Sequence, residues 1–382
     1  MDGLKRLWGW LADPGHRARL AWLGGGLAVV GAALWIAYTY FPKQEAEPSQ
    51  LLSQGIETTQ DSPAAGHGPM IRPSSADTAI IQQDDDLALA DDLSHQGMAL
   101  FEAGDYTQAQ EPLERALAIR EKVLGPDHTD VAQSLNNLAL LYTAQGHYDQ
   151  AEPLYQRALA IREKALGPDH PELAQSLNNL AGLYQAQGRY AEAEPLYQRA
   201  LTIAEQSLGP DHPDLAQSLN NLAELYRAQG RYAEAEPLYQ RALTIAEQAL
   251  GPNHPDLGQS LNNLALLYAA QGHYDKAEPL YQRALAIWEK ALGSDHPHLA
   301  TSLNNLALLY AAQERYDEAE PLYQRALAIW EKALGPDHPA VATTLEDYAN
   351  LLQATDRAAK AKSLKERAQT IRSQYADEKP PD

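Results

Sequence analysis

Six histidines stand 42 residues apart, at His128, His170, His212, His254, His296 and His338. Imidazoles at a fixed spacing suggest a zinc site, an acid–base relay, or hydrogen bonding to nearby backbone. Zinc needs its ligands within about 2.0–2.1 Å of one point. Equivalent positions in stacked helices lie at least one packing distance apart, about 8–10 Å. Asp127, Asp169, Asp211, Asp295 and Asp337 directly precede five of the histidines, but no Ser or Cys nucleophile recurs beside these pairs, so a hydrolase triad is unsupported. The chain has no cysteine, no Gly-x-Gly-x-x-Gly, no P-loop and no His-Glu-x-x-His. The histidines are therefore expected to cap loops. No metal, cofactor or catalytic residue is expected, and the chain reads as a non-enzyme.

A second recurring group consists of amides. Ser-Leu-Asn-Asn-Leu-Ala begins at Ser134, Ser176, Ser218, Ser260 and Ser302. An amide presents donors and an acceptor, which suits the main chain of an extended peptide. Four residues after the first Asn come Leu140, Gly182, Glu224, Leu266 and Leu308, and three further on Thr143, Gln185, Arg227, Ala269 and Ala311. Offsets of four and seven share one helical face. Variation confined to that face, in units otherwise nearly identical, is expected of a surface whose side chains choose a ligand. Trp288 and Trp330, also 42 apart, are expected to pack between helices.

These residues must be held by a repeated element. Gly-Pro-Asp-His opens at Gly125, Gly167, Gly209 and Gly335, with near-copies at Gly251 and Gly293. A fixed period of this length means a solenoid of stacked units, each covering its neighbour's apolar face. Leu177, Leu180, Ala181 and Tyr184 fall on one face of a helix, as do Ala193, Leu196, Tyr197 and Ala200 of a second. Gly188-Arg189-Tyr190 breaks the two, and Gly209 followed by Pro210 ends the pair. Asp211-His212-Pro213-Asp214 predicts an Asp N-cap with an acid three residues on. Pro195 is expected in the first turn of the second helix.

Leu-Asn-Asn-Leu-Ala, Gln-Gly-x-Tyr-x-x-Ala-Glu-Pro-Leu-Tyr-Gln-Arg-Ala-Leu and Leu-Gly-Pro-Asp-His-Pro together resemble the tetratricopeptide repeat (TPR) family, in the form found in kinesin light chains. The resemblance covers about residues 87–375 and maps the family's small and aromatic positions onto Ala139, Tyr142, Ala151, Tyr155 and Ala158. It implies peptide binding on a concave face and does not imply microtubule transport, since there is no heptad segment for a motor heavy chain. Asn136, Asn178, Asn220, Asn262 and Asn304 match that concave face. Asn137, Asn179, Asn221, Asn263 and Asn305 match a structural hydrogen-bonding position. The candidate peptide-binding groove is thus Asn136, Asn178, Asn220, Asn262, Asn304, Leu140, Glu224, Arg227, Leu266 and Leu308.

The expected fold is all-α, a right-handed α-solenoid of about seven helix-turn-helix units over residues 86–375, with a short disordered tail at 376–382. The first unit lacks the Asn pair and the seventh replaces it with Glu346-Asp347, as end units that cap an array should differ. The seventh also gathers Arg357, Lys360, Lys362, Lys365, Arg367 and Arg372, expected as a solvated capping face.

The remaining sequence concerns placement. Leu20 to Phe41 is uncharged and, as a helix, about 33 Å long, enough to cross a hydrocarbon core of about 30 Å. Lys5, Arg6, Arg17 and Arg19 precede it and only Lys43 follows closely. The positive-inside rule then predicts a basic cytoplasmic segment 1–19, a signal-anchor helix 20–41, a disordered linker 42–85, and an array on the periplasmic side of a bacterial inner membrane. Gly24, Ala28 and Ala32 form a small-xxx-small stripe that would permit weak homodimerisation. The net charge of −21 argues against nucleic acid. The expected partners are proteins or peptides, held by a membrane-anchored scaffold. The alternative is a structural self-assembly element that oligomerises through its anchor and array ends.

Overall fold

The computed structural model describes residues 75–377, and every element in it is an α-helix. In order these are α1 (Ser75–Glu102), α2 (Tyr106–Leu124), α3 (Thr129–Gln145), α4 (Tyr148–Leu166), α5 (Glu172–Ala186), α6 (Tyr190–Leu208), α7 (Leu215–Ala228), α8 (Tyr232–Leu250), α9 (Leu257–Ala270), α10 (Tyr274–Leu292), α11 (Pro297–Ala312), α12 (Tyr316–Leu334), α13 (Pro339–Ala354) and α14 (Ala358–Asp377). The pairs α1–α2, α3–α4, α7–α8, α9–α10, α11–α12 and α13–α14 pack as hairpins. The second helix of a hairpin also packs on the first helix of the next, as in α2–α3, α4–α5, α8–α9, α10–α11 and α12–α13. The chain divides into two compact units, one up to Leu196 and the other from Tyr197. Residues 75–85, expected as the end of a linker, are the start of α1.

The turns follow from residues that tolerate or impose them. Gly146 ends α3 in the left-handed region, φ 79°, with its N–H directed at the carbonyls of Thr143 and Tyr142. Glu314 takes this conformation at the α11–α12 turn, φ 61°, and Asp356 at the α13–α14 turn, φ 57°, where the earlier hairpin turns use glycine. The histidines cap as expected. His128, His170, His212, His254, His296 and His338 each accept, through Nδ1, the backbone N–H two residues on, at 3.1–3.3 Å. The expected Asp cap is corrected by this geometry. In place of a cap from Asp211, with Asp214 as the acid three residues on, His212 accepts the Asp214 N–H at 3.3 Å, and Asp214, which directly precedes α7 with helical dihedrals, makes no side-chain cap. Pro195 is also displaced from expectation. α6 begins at Tyr190, so the proline lies in the second turn, and the same holds for Pro153, Pro237, Pro279 and Pro321. These prolines are exposed, so water can satisfy the carbonyl that each leaves without a helical donor.

Packing depends on small residues where helices cross and on tyrosines between them. Ala151, Ala158, Ala235, Ala242, Ala277 and Ala284 are fully buried, and so are Tyr239, Tyr281 and Tyr323. In the first hairpin a Cβ on Gly97 would lie 2.6 Å from Leu113 Cγ, so only glycine admits α2 at that distance. The tryptophans pack as expected. Trp288 is buried, donates Nε1–H to the Pro255 carbonyl at 3.0 Å, and stacks on His298 with ring centroids 5.3 Å apart. A Cβ on Gly258 would meet its ring at 2.2 Å. The same place in other units holds Ala132, Ala174, Ala216 and Ala300. Gly258→Ala is expected to cost about 1–3 kcal/mol through overpacking. A urea titration reads this as a lowered midpoint, and an unchanged midpoint would show that the indole is not fixed against α9.

Two polar locks join successive hairpins. Arg157 of α4 reaches Glu121 of α2 at 2.6 Å and the Pro126 carbonyl at 3.0 Å, tying the loop before α3 to the following hairpin. Arg283–Glu247–Pro252 and Arg367–Glu331–Pro336 repeat it. In the second lock, Arg189 lies over the Tyr184 ring at 4.0 Å and pairs with Glu152, whose carboxylate also accepts from the Tyr184 hydroxyl. Arg315, Tyr310 and Glu278 repeat that arrangement. Acids are thus committed to structure within a chain of net charge −21.

The membrane placement expected from the sequence is corrected. Among the described residues no helix is long and apolar enough to cross a membrane. The segment Leu20–Phe41, the stripe Gly24, Ala28 and Ala32, and the basic residues before them lie outside the described residues. No described helix supports a single-pass inner-membrane location with the array on the periplasmic side.

Candidate functional site

The candidate residues lie on the first helices of the hairpins. In the unit up to Leu196, Asn136 of α3 is 3% exposed, and its Oδ1 accepts from Asn179 Nδ2 of α5 at 2.9 Å. Leu140 is buried beside it, and Thr143 bonds the Ala139 carbonyl and the Tyr155 hydroxyl. Asn178 is half-buried. In the unit from Tyr197, Asn220 of α7 donates to Ser260 Oγ of α9 at 3.0 Å. Asn262 Oδ1 accepts from Asn305 Nδ2 of α11 at 3.3 Å, and Asn304 Nδ2 donates to Asp347 Oδ2 of α13 at 3.0 Å.

The two amide rows, expected to be separate, are therefore interlocked. Asn136 and Asn262 each meet the second Asn of the next hairpin, Asn304 meets Asp347 where that Asn is replaced, and Asn220 meets Ser260 instead. Asn136, Asn262 and Asn304 are buried rungs between first helices, not free amides, because their side chains point along the stack. Sequence spacing could not show this, since the partner lies 43 residues away and depends on how hairpins register.

Asp347 carries a cost the amides avoid. Burial pushes its carboxyl up to about 7 and Glu346 adds to that, against the opposing Asn304 hydrogen bond and Arg372 charge. The basic residues of the seventh hairpin are mostly engaged. Arg357 pairs with Glu320 at 2.7 Å, Arg367 with Glu331 at 2.6 Å and Arg372 with Glu346 at 2.8 Å. Lys360 donates to the Tyr348 hydroxyl and Lys365 to Gln353.

The offset positions differ sharply between hairpins. Glu224 and Arg227 of α7 close on each other with side chains only 9% and 8% exposed. Arg227 Nε donates to Glu224 Oε2 at 2.8 Å, and the Tyr239 hydroxyl of α8 donates to the same oxygen at 2.8 Å. Burial, and then the Glu224 charge, push the Tyr239 hydroxyl well above its ordinary range. Burial opposes the charge on Arg227, but the Glu224 carboxylate outweighs it and holds the guanidinium charged. At the same offsets α9 carries Leu266 and Ala269, and α11 carries Leu308 and Ala311, all half-buried. The hydroxyls of Tyr281 and Tyr323, the counterparts of Tyr239, have no hydrogen-bond partner among the described residues.

Known proteins place this architecture. The Nephrocystin-3 TPR domain model matches residues 66–206, and the Tetratricopeptide repeat model matches residues 172–248, 214–290, 274–319 and 298–374. Nephrocystin-3 of Mus musculus is 50% identical over 56 residues, 15% of this chain and 4% of its own length, so the chain spans a small part of that relative. The kinesin light chain nearly identical TPR-like repeats of Podosopora anserina are 31% identical over 55% of this chain and 98% of theirs, with a TM-score of 0.47. A Rap protein complexed with Competence and Sporulation Factor is 20% identical, over 75% of this chain and 76% of its own, with a TM-score of 0.59, a likeness of fold. With its repeat model covering more than half of the residues and its hairpins locked as described, the chain belongs to the tetratricopeptide repeat family.

Proposed function

We propose that this chain is a scaffold that holds an extended segment of a partner protein against the first helices of its hairpins. Tetratricopeptide arrays serve as protein-interaction scaffolds, because stacked repeats present long continuous surfaces. The observation that carries the reading is where the units are allowed to differ. Positions that make rungs and locks recur from hairpin to hairpin, whereas the offset face reads Leu140 and Gly182 in one unit, and Glu224, Leu266 and Leu308 in the other. Asn136 and Asn178 in the first unit, and Asn220, Asn262 and Asn304 in the second, form the floor from which that face projects. Leu266 and Leu308, half-buried on that face, set which side chains are accepted, whereas Leu140 is buried and Glu224 and Arg227 are buried and paired with each other. The alternative of end-to-end assembly is weakened by α14, whose exposed face is polar and whose Arg367 and Arg372, like Arg357 just before it, pair within the array.

Site-specific photo-crosslinking tests this. A benzophenone side chain at Leu266 or Leu308 is expected to capture the partner, whereas one at Gln240 or Gln282, exposed on the second helices, is not. Capture from the second-helix positions alone would overturn the assignment.

A further inference from the structure

Within the unit from Tyr197, α9 and α11 stand apart chemically. Neither Leu257–Ala270 nor Pro297–Ala312 contains an Asp, Glu, Lys or Arg, in a chain with 51 acids and 30 basic residues. Their offset faces are the same, Leu266 with Ala269 and Leu308 with Ala311, and each of these residues is half-buried and so reachable from solvent. The buried tyrosine behind this face is satisfied in other hairpins, Tyr155 by Thr143 and Tyr239 by Glu224. Leu266 and Leu308 take the place of Glu224. The fully buried Tyr281 and Tyr323 hydroxyls therefore have no acceptor among the described residues, and neither does Asn304 Oδ1 have a donor. An unpaired buried hydroxyl is unfavourable. Here it recurs at the two hairpins that share one face.

We infer that the segment bound by α9 and α11 is uncharged and extended, with two apolar side chains three residues apart. Its main-chain carbonyls accept from Tyr281 and Tyr323, and one N–H donates to Asn304 Oδ1. The inference rests on the scaffold reading above. A charged side chain over Leu266 or Leu308 would lose its hydration and find no counter-ion on either helix. The spacing follows from geometry. α9 and α11 touch directly, packed helices lie about 8–10 Å apart, and an extended chain rises about 3.3 Å per residue. One apolar side chain over each leucine therefore needs a step of about three residues. The carbonyls reach the hydroxyls when the half-exposed leucines change rotamer, a fast motion for side chains at a surface.

Random twelve-residue peptides displayed on phage and selected on the full chain provide the probe. Enriched sequences are expected to share two apolar residues separated by two, with no charge between them. For a synthetic peptide of that kind, Tyr281→Phe and Tyr323→Phe are each expected to weaken binding about 2- to 12-fold. Neither should lower the melting temperature of the free protein, because each removes an unsatisfied hydroxyl. Enriched peptides with charge at the two positions would overturn the inference and leave the scaffold reading standing. So would a lowered melting temperature with unchanged affinity, since the hydroxyls would then serve the fold. No enrichment at all would overturn both.

Discussion

Replacing Glu224 alone by leucine should lower stability by about 3–5 kcal/mol, because it leaves the Arg227 guanidinium buried without a counter-charge. The double change Glu224→Leu with Arg227→Ala should sit within about 1 kcal/mol of the natural protein, or above it, since well-packed apolar replacements of buried ion pairs are often neutral or stabilising. The array contains its own control. Leu266 with Ala269, and Leu308 with Ala311, hold these places on α9 and α11 with the same surrounding tyrosines. The double variant therefore asks α7 to adopt a face that its neighbours already carry. It leaves the Tyr239 hydroxyl without its acceptor, as Tyr281 already is. Urea denaturation of the two single variants and the double gives the coupling directly. Equal losses in single and double variants would show that the carboxylate and guanidinium do not depend on each other.

The second large effect is pH-dependent. In the unfolded chain Asp347 titrates near its ordinary value of 3.8, while burial in the folded chain raises it to about 7. Between those values the folded protein holds a proton that the unfolded chain has released. Stability from this group is thus complete below about pH 3.8 and is lost as pH rises towards 7. Asp347→Asn puts at this place the amide found at Asn137, Asn179, Asn221, Asn263 and Asn305. It keeps an acceptor for Asn304 and removes the charge. At pH 8 the variant should be more stable than the natural protein by about 2–4 kcal/mol, and the advantage should vanish near pH 4. Melting curves across pH 4–8 check this. A constant difference, or one that grows on acidification, would contradict the placement of Asp347.

Much of the scaffold is legible in residue order because its signals are local. The 42-residue period, the paired helices and the histidine caps each rest on residues within a few positions of one another. What lies across hairpins is not legible. Asn136 and Asn179 meet only because α3 and α5 stack in one register, and spacing alone assigns them different roles. Glu224 and Arg227 read as exposed selectivity residues, yet as neighbours at i and i+3 they close on each other beneath Tyr239. The proline shift has a local cause, because α6 starts at the tyrosine of the turn and not after it. The membrane placement failed differently, because it rested on a segment outside the described residues, and no described helix supports it.

The claim that the offset face selects a ligand while the recurring positions only stack is tested most directly by one comparison. A peptide selected on the natural protein is titrated against the Leu266→Gln, Leu308→Gln double variant, alongside its melting curve. The expected result is a melting temperature close to that of the natural protein, since both leucines are half-buried, and an affinity lowered by about 10-fold or more, because two apolar contacts at the recognition face are lost. An unchanged affinity, with the fold equally intact, would show that recognition lies elsewhere on the array.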